Sequence, residues 1–260
     1  MATAHKVEVV REQRPGGLVA HVVFDNARRL NVVNPEAIAD LLAAFDALAS
    51  EPDLRVVVFS GAGERAFIGG ADINHMAGMR SSEDGRAFIT LVHRLCHAMR
   101  ECPVPVIARI DGFALGAGLE VAAACDMRIA SDRSVFGMPE VKVGVPSVVE
   151  AALLPRLIGW GRTSWMLLTG ENIDAARAER WGLVEEIVPA ALLDEAVGRA
   201  VHSIVEAAPQ SVRAQKRLMR RWERLPLDEA VQAGIDAFAQ SVTTGEHVER
   251  MTAFVNRKRS

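Results

Sequence analysis

The chain has 260 residues, 50% of them hydrophobic and 24% charged, enough to bury one large core with room for a small appendage. Its 33 acidic and 30 basic residues leave a formal charge of −3, so no general cationic field exists to hold nucleic acid or an anionic membrane. There is no tyrosine, which removes the phenol that short-chain dehydrogenases of this length use as an acid and leaves proton chemistry to carboxylates, histidines, lysines or cysteines.

In chain order, Lys6 to Arg11 and Leu18 to Phe24 are β-rich runs flanking Pro15-Gly16-Gly17, which predicts a hairpin. Asn34-Pro35 supplies an N-cap and a proline at the first helical position, opening a helix over Glu36 to Ala49 with Ile38, Leu41, Leu42, Phe45 and Leu48 at helical spacing. A short apolar strand follows at Arg55 to Phe59. The alternation then repeats: helix over Glu83 to Glu101, breakers at Pro103 and Pro105, strand over Val106 to Ile110, a Gly-rich turn, an apolar helix through Ala124 and a strand over Met127 to Ala130. Short apolar strands separated by helices predict a buried, parallel-type sheet. Beyond Thr163 only Leu183 to Val188 reads as strand. The expected organisation is an α/β core over residues 1–190 and a helical region over 191–260 that packs on its own core or on a neighbouring subunit.

Cys96, Cys102 and Cys125 are an odd number in a chain too large to need staples, which predicts reduced thiols. The first residues carry no signal- or transit-peptide pattern, and the most apolar stretch, Phe113 to Cys125, is interrupted by Glu120 and falls short of the roughly 20 residues a bilayer requires. The expectation is a soluble cytoplasmic protein.

Three segments could carry chemistry. In Ile110 to Ala124 a strand turns at Gly112, and Gly116 and Gly118 lead into an alanine-rich helix whose first N–H groups are free to receive an anion or oxyanion. Glu120 lies on the face of the Ala117 amide; it is either a desolvated functional carboxylate or a solvated first-turn glutamate. Ala66 to Ile73 repeats the pattern, with Gly69-Gly70 before another candidate amide at Ala71. Glu140, in Phe136 to Pro146, sits in an apolar, Gly-bounded loop and is either desolvated or turned to water. Neither GxGxxG after a strand nor GxxxxGK[ST] occurs, so dinucleotide and P-loop readings lack their phosphate cradle.

The blocks AFIGGADI, IDGFALGAGLEVAAACD, FGMPEVKVG, LTGENIDAARAERWGLVEEIVP and MTAFVNRKR, in this order over nearly the whole chain, resemble the enoyl-CoA hydratase/isomerase (crotonase) superfamily, and most of all its hydratases. The resemblance implies a crotonase-like spiral core of ββα units and a C-terminal helical region that assembles trimers, or hexamers as pairs of trimers. It implies syn addition of water across the 2,3-double bond of an enoyl-CoA, with Glu120 and Glu140 as the catalytic carboxylates and Ala71 and Ala117 as the two amides of an oxyanion hole. Glu140 is then the expected proton donor to C2, and Glu120 the partner that orients and deprotonates the water. Arg28, Arg29, Ala71, Asp72, Ile73, Asn74, Ala117 and Arg257 or Lys258 would bind the substrate, although many relatives carry lysine where this chain has Asn74. No metal and no cofactor is implied beyond the coenzyme A carried on the substrate. An enoyl-CoA isomerase, another superfamily reaction, or a non-catalytic member that binds RNA or a partner are the alternatives.

The chain departs from the hydratase pattern after Glu140. Where hydratases commonly have a glycine-rich segment, it reads Val145-Pro146-Ser147-Val148-Val149-Glu150, with two valines and a third carboxylate, so a short, branched or functionalised acyl group is as acceptable as a straight one. His93, Cys96 and His97 share a helical face, but no complementary ligand pair gives them a metal role. The basic run from Arg213 to Arg224 reads as a solvated helix face with Leu218 and Trp222 buried beneath it.

Overall fold

A computed structural model of the chain describes residues 5–257. The hairpin of β1 (Lys6–Arg14) and β2 (Gly17–Asp25) leads to α1 (Pro35–Ala49), β3 (Leu54–Gly61), β4 (Ala66–Ile68), α2 (Ile73–Ala77) and α3 (Ser82–Glu101). Next come β5 (Val106–Ile110), β6 (Phe113–Leu115), α4 (Ala117–Ala124), β7 (Met127–Ser131) and β8 (Val135–Gly137). The remainder comprises α5 (Leu154–Ile158), α6 (Trp160–Thr169), β9 (Ile173–Asp174), α7 (Ala175–Trp181), β10 (Glu186–Val188), α8 (Leu193–Glu206), α9 (Pro209–Trp222), α10 (Leu227–Val242) and α11 (Glu246–Arg257). Helix starts follow the sequence signals: Asn34 accepts the Ala37 N–H at 2.9 Å, and Ser81 with Asp84 forms a capping box at α3.

Two sheets result. The larger has the order β1-β2-β3-β5-β7-β10, parallel except for the first hairpin. The smaller has the order β4-β6-β8-β9, parallel except for its last pair. Each turn of the chain thus lays one strand in the large sheet, one three-residue strand in the small sheet and then a helix, a spiral of ββα units. The short strands are a finding the sequence pattern did not expose, because three residues are too few to show a period and β6 lies inside the stretch read as a Gly-rich turn.

Alternation along the large sheet gives it two apolar faces. Ala20, Val22, Phe24, Val57, Phe59 and Ala108 join α1, α3 and α4 in the main core. Val19, Val56, Val58, Ile107 and Ile129 point the other way, onto Leu193, Ala196, Val197, Val201 and Val205 of α8. That helix is strongly amphipathic and covers a sheet face that would otherwise meet water.

The basic helix α9 differs from the solvated face expected of it. Leu218 is buried, but Trp222 is 43% exposed and donates its indole N–H to Ala230 O at 2.8 Å, linking α9 to α10. Lys216 turns inward: its ammonium donates to Met99 O at 3.1 Å, Val104 O at 2.8 Å and Asp126 Oδ2 at 2.7 Å. Arg220 bridges Asp126 and Glu223, each at 2.7 Å, and Glu223 also pairs with Arg100. These inward cations hold the helix on the core, while Arg217, Arg221 and Arg224 stay exposed. Among the described residues no helix is long and apolar enough to cross a membrane.

Removing one member of a buried ion pair strands the other. Lys216→Met is expected to lower unfolding free energy by roughly 3 kcal/mol, the low end for such a change because Arg220 still reaches Asp126. Urea denaturation measures the loss, and an unchanged midpoint refutes it.

Candidate active site

Apart from Glu120, helix α4 is apolar around its whole circumference, and all eight of its residues are buried. Glu120 in its first turn is therefore carried inside, where it is only 4% exposed. Two glycines allow this placement. A Cβ at Gly118 would lie 2.0 Å from Ile68 O, so only glycine lets α4 press against β4. Gly116 has φ +52°, and a Cβ there would meet Glu140 Oε1 at 2.5 Å. The same glycine thus starts the helix and leaves room for the second carboxylate to reach over it.

Ala117 is the first residue of α4, so its N–H has no helical acceptor. Ala71 gains a free N–H in another way. Val33 donates to Gly70 O at 2.9 Å and accepts from Asp72 N–H at 2.8 Å, a parallel bridge that consumes the groups on either side of Ala71 and leaves its own amide facing away. Among the described residues neither amide meets an acceptor. Asn31 pins the preceding loop by donating to Ala62 O at 3.0 Å and Ala66 O at 2.7 Å, while Arg29 donates to Asp72 at 2.9 Å. Asp72 also caps α2 by accepting the Asn74 N–H at 3.0 Å.

These pieces border one cleft of about 700 Å³, lined by Gly70, Ala71, Gly116, Ala117, Glu120 and Glu140 together with Met76, Met79, Phe88, Ile89, Val92, Val143, Val145 and Val148. Apart from the two glutamates, no ionisable side chain among the described residues lines it. Burial, then the Glu140 charge, push the Glu120 carboxyl up to about 8, against the lowering effect of the Ala151 and Val148 amides and with a further push from Glu150. Burial also raises Glu140, opposed by its own backbone N–H and by the Ser147 hydroxyl, which donates to Oε2 at 2.9 Å. Around neutral pH the pair therefore carries one proton and one negative charge between them.

Over residues 15–260 the chain matches the protein family described as enoyl-CoA hydratase/isomerase. The chain belongs to that family. It is 33% identical over 244 residues to a short-chain-enoyl-CoA hydratase of Clostridium acetobutylicum, covering 94% of this chain and 93% of that one. It is 37% identical over 221 residues to an (E)-benzylidenesuccinyl-CoA hydratase of Thauera aromatica, covering 82% and 83%. The crystal structure of an enoyl-CoA hydratase from Bacillus anthracis superposes with a TM-score of 0.91 at 31% identity over 96% of both chains. The crotonase fold expected from the sequence blocks is the fold observed.

Within this crotonase fold, Ala71, Ile73, Ala117, Glu120 and Glu140 come together at the cleft. Asp72 is buried against Arg29 and so braces the Ala71 loop, whereas Arg28 and Asn74 are exposed and stand outside the lining. Lys258 lies outside the described residues. Sequence reasoning missed Ser147 as the partner of Glu140 and His93 as the partner of Glu150, whose Oε1 is 2.9 Å from His93 Nδ1. Ser147 follows Glu140 by seven residues across a turn, and His93 precedes Glu150 by 57, spacings that carry no local signal.

The raised Glu120 carboxyl links stability to pH. Below its ordinary value of 4.5 it is neutral both folded and unfolded; between 4.5 and about 8 only the unfolded chain ionises, so stability falls as pH rises. Glu120→Gln removes that loss. Relative to the parent, the variant is expected to gain roughly 2–4 kcal/mol, several degrees in Tm, between about pH 5 and about pH 9. Thermal melts across that range measure it; a constant difference between the two proteins refutes it.

Proposed function

We propose that the protein adds water syn across the 2,3-double bond of an enoyl-CoA thioester. The observation that carries this reading is the meeting of two desolvated carboxylates, Glu120 and Glu140, with the amides of Ala71 and Ala117, unpartnered among the described residues, in one otherwise apolar cleft. The amides would receive the thioester oxygen, and attack of water at C3 would build enolate charge there, where fixed N–H donors are worth most. Glu140 reaches over Gly116, next to the Ala117 amide, and so lies nearer C2. Glu120, deeper on α4, would orient the water at C3. The proton that rests on Glu120 in the free protein would pass through that water to Glu140, leaving a base at C3 and an acid at C2 on the same face of the double bond.

The apolar lining favours an uncharged acyl group. Arg28, exposed and without an ion pair among the described residues, is the cation we assign to the CoA phosphates, while Arg29 shares its charge with Asp72. The exposed Leu227, Val231, Ile235 and Phe238 along α10 and Val248 and Met251 of α11 support assembly into a trimer or a pair of trimers. The free, buried Cys96, Cys102 and Cys125 are compatible with a reducing, cytoplasmic setting.

Glu140→Gln and Glu120→Gln are each expected to lower kcat for hydration of a panel of enoyl-CoAs by about 10²–10⁴ with little change in KM. The parent should show a bell-shaped pH profile whose alkaline limb lies near 8, where the pair loses its one proton. Full hydration by Glu120→Gln would overturn the two-carboxylate reading, and double-bond migration in an enoyl-CoA that survives Glu120→Gln without hydration would favour an isomerase.

A further inference from the structure

Behind the pair lies a third carboxylate that the reaction as proposed does not use. Glu150 is 7% exposed, does not line the cleft and stands in a 3-10 turn packed against α3 and α4. Its Oε1 is bonded to His93 Nδ1 of α3, and no nitrogen or hydroxyl donor among the described residues reaches its buried Oε2, which leaves only the weak thiol donor of Cys96 beside the carboxylate. No arginine or lysine pairs with it among those residues, although His93, half-exposed, connects it to the surface. A buried carboxylate oxygen without a strong donor is destabilising, and so needs a reason to be there.

The backbone beside it is strained as well. Val149 has φ +37°, a left-handed conformation that a β-branched side chain adopts only under constraint. That turn sends Val148 into the cleft wall and Glu150 into the interior behind it. The strain and the orphaned oxygen occupy adjacent residues, in the segment where the chain departs from the glycine-rich hydratase pattern. Two independent local costs at one place point to a function rather than to packing.

The groups around Glu150 limit what that function is. From α3 it meets His93, with His97 tilted against that ring at 5.7 Å, and the buried thiol of Cys96, which Glu150 and Glu120 both push upward after burial itself. From α4 it meets Glu120, with Cys125 buried near Cys96. In its own segment, Ser147 is turned to Glu140. Glu120 is the one group in this set that also lines the cleft.

We propose that Glu150, held in place by His93, is a positioning residue whose charge, set behind Glu120, opposes a second negative charge in the cleft and keeps the pair's single proton in the site. The proposal rests on the hydratase reading for its effect on rate, but not for its effect on Glu120. Glu150 strengthens the repulsion that Glu140 already exerts, without itself touching the substrate, and His93 keeps its carboxylate from turning out to solvent.

Glu150→Gln removes the charge while keeping the side-chain size and an oxygen that can accept from His93. The alkaline limb of kcat/KM is expected to move down by about one pH unit, with the acid limb and KM little changed. His93→Leu, which frees the carboxylate to turn outward, should move the limb the same way by less, and His93→Gln, which keeps a donor, should restore it. In parallel, the infrared band of the protonated Glu120 carboxyl, identified by its loss in Glu120→Gln, is followed against pH in the free protein. If no enoyl-CoA is hydrated but this midpoint falls in Glu150→Gln, the hydratase reading fails and the role of Glu150 stands. If hydration is normal and neither limb nor midpoint moves in a folded Glu150→Gln, the role of Glu150 is overturned. Should that variant not fold, an unmoved midpoint in His93→Leu, a change at a half-exposed side chain, overturns it equally.

Discussion

Two carboxylates cannot both be ionised inside an apolar cleft, and the structure around Glu120 and Glu140 is organised by that constraint. Glu120 meets only the cleft because α4 is otherwise buried on every side, and Glu140 is brought over Gly116 to share the same space. Hydrogen bonds partly relieve each charge: amides of Ala151 and Val148 for Glu120, the Ser147 hydroxyl for Glu140. They do not outweigh desolvation, so one proton stays with the pair. A pair in that state has an acid and a base side by side without either being imported, which is what addition of water to a conjugated thioester demands.

The scaffold supplies the other half of the site by a device used twice. In two successive turns of the spiral, the segment leaving a short strand of the small sheet ends in an amide with no acceptor, once beside the Val33 bridge and once at the start of α4. Because β4 and β6 pair in parallel, both segments leave the sheet at the same end. Gly118 closes the remaining distance by letting α4 touch Ile68. The Arg29–Asp72 pair and Asn31 then fix the first loop, so the Ala71 amide sits on a rigid support beside the same cleft that Ala117 borders.

The sequence made the periodic elements legible. The hairpin, α1, α3, β5 and α4 all follow from apolar spacing and capping residues, and Glu120 and Glu140 stood out because each is a charge in an otherwise apolar, Gly-bounded stretch. What it hid were features set by tertiary contact. Three-residue strands have no period to read. Lys216 looks like any other cation in a basic helix until the fold sets Asp126 and two carbonyls opposite it. His93 sits on a helix face that Cys96 and His97 also occupy, and nothing near it in the chain announces Glu150.

The segment from Val145 to Glu150 joins these threads. Glycines after the second carboxylate would give a flexible, solvated wall, whereas here Val145, Pro146 and Val148 form an apolar wall against the pair. Such a wall lowers the local dielectric and strengthens every electrostatic interaction within the cleft, attraction to the amides and repulsion between carboxylates alike. The same backbone offers amides to Glu120 from both sides of Val149, and those amides favour the ionised form. They draw the proton off Glu120, against burial and the Glu140 charge; the charge of Glu150, next to the strained Val149, adds to that opposition. Burial and the Glu140 charge set the proton affinity of Glu120 first; the turn adjusts it by two opposing contributions from neighbouring residues, and the left-handed Val149 lets one short segment present both.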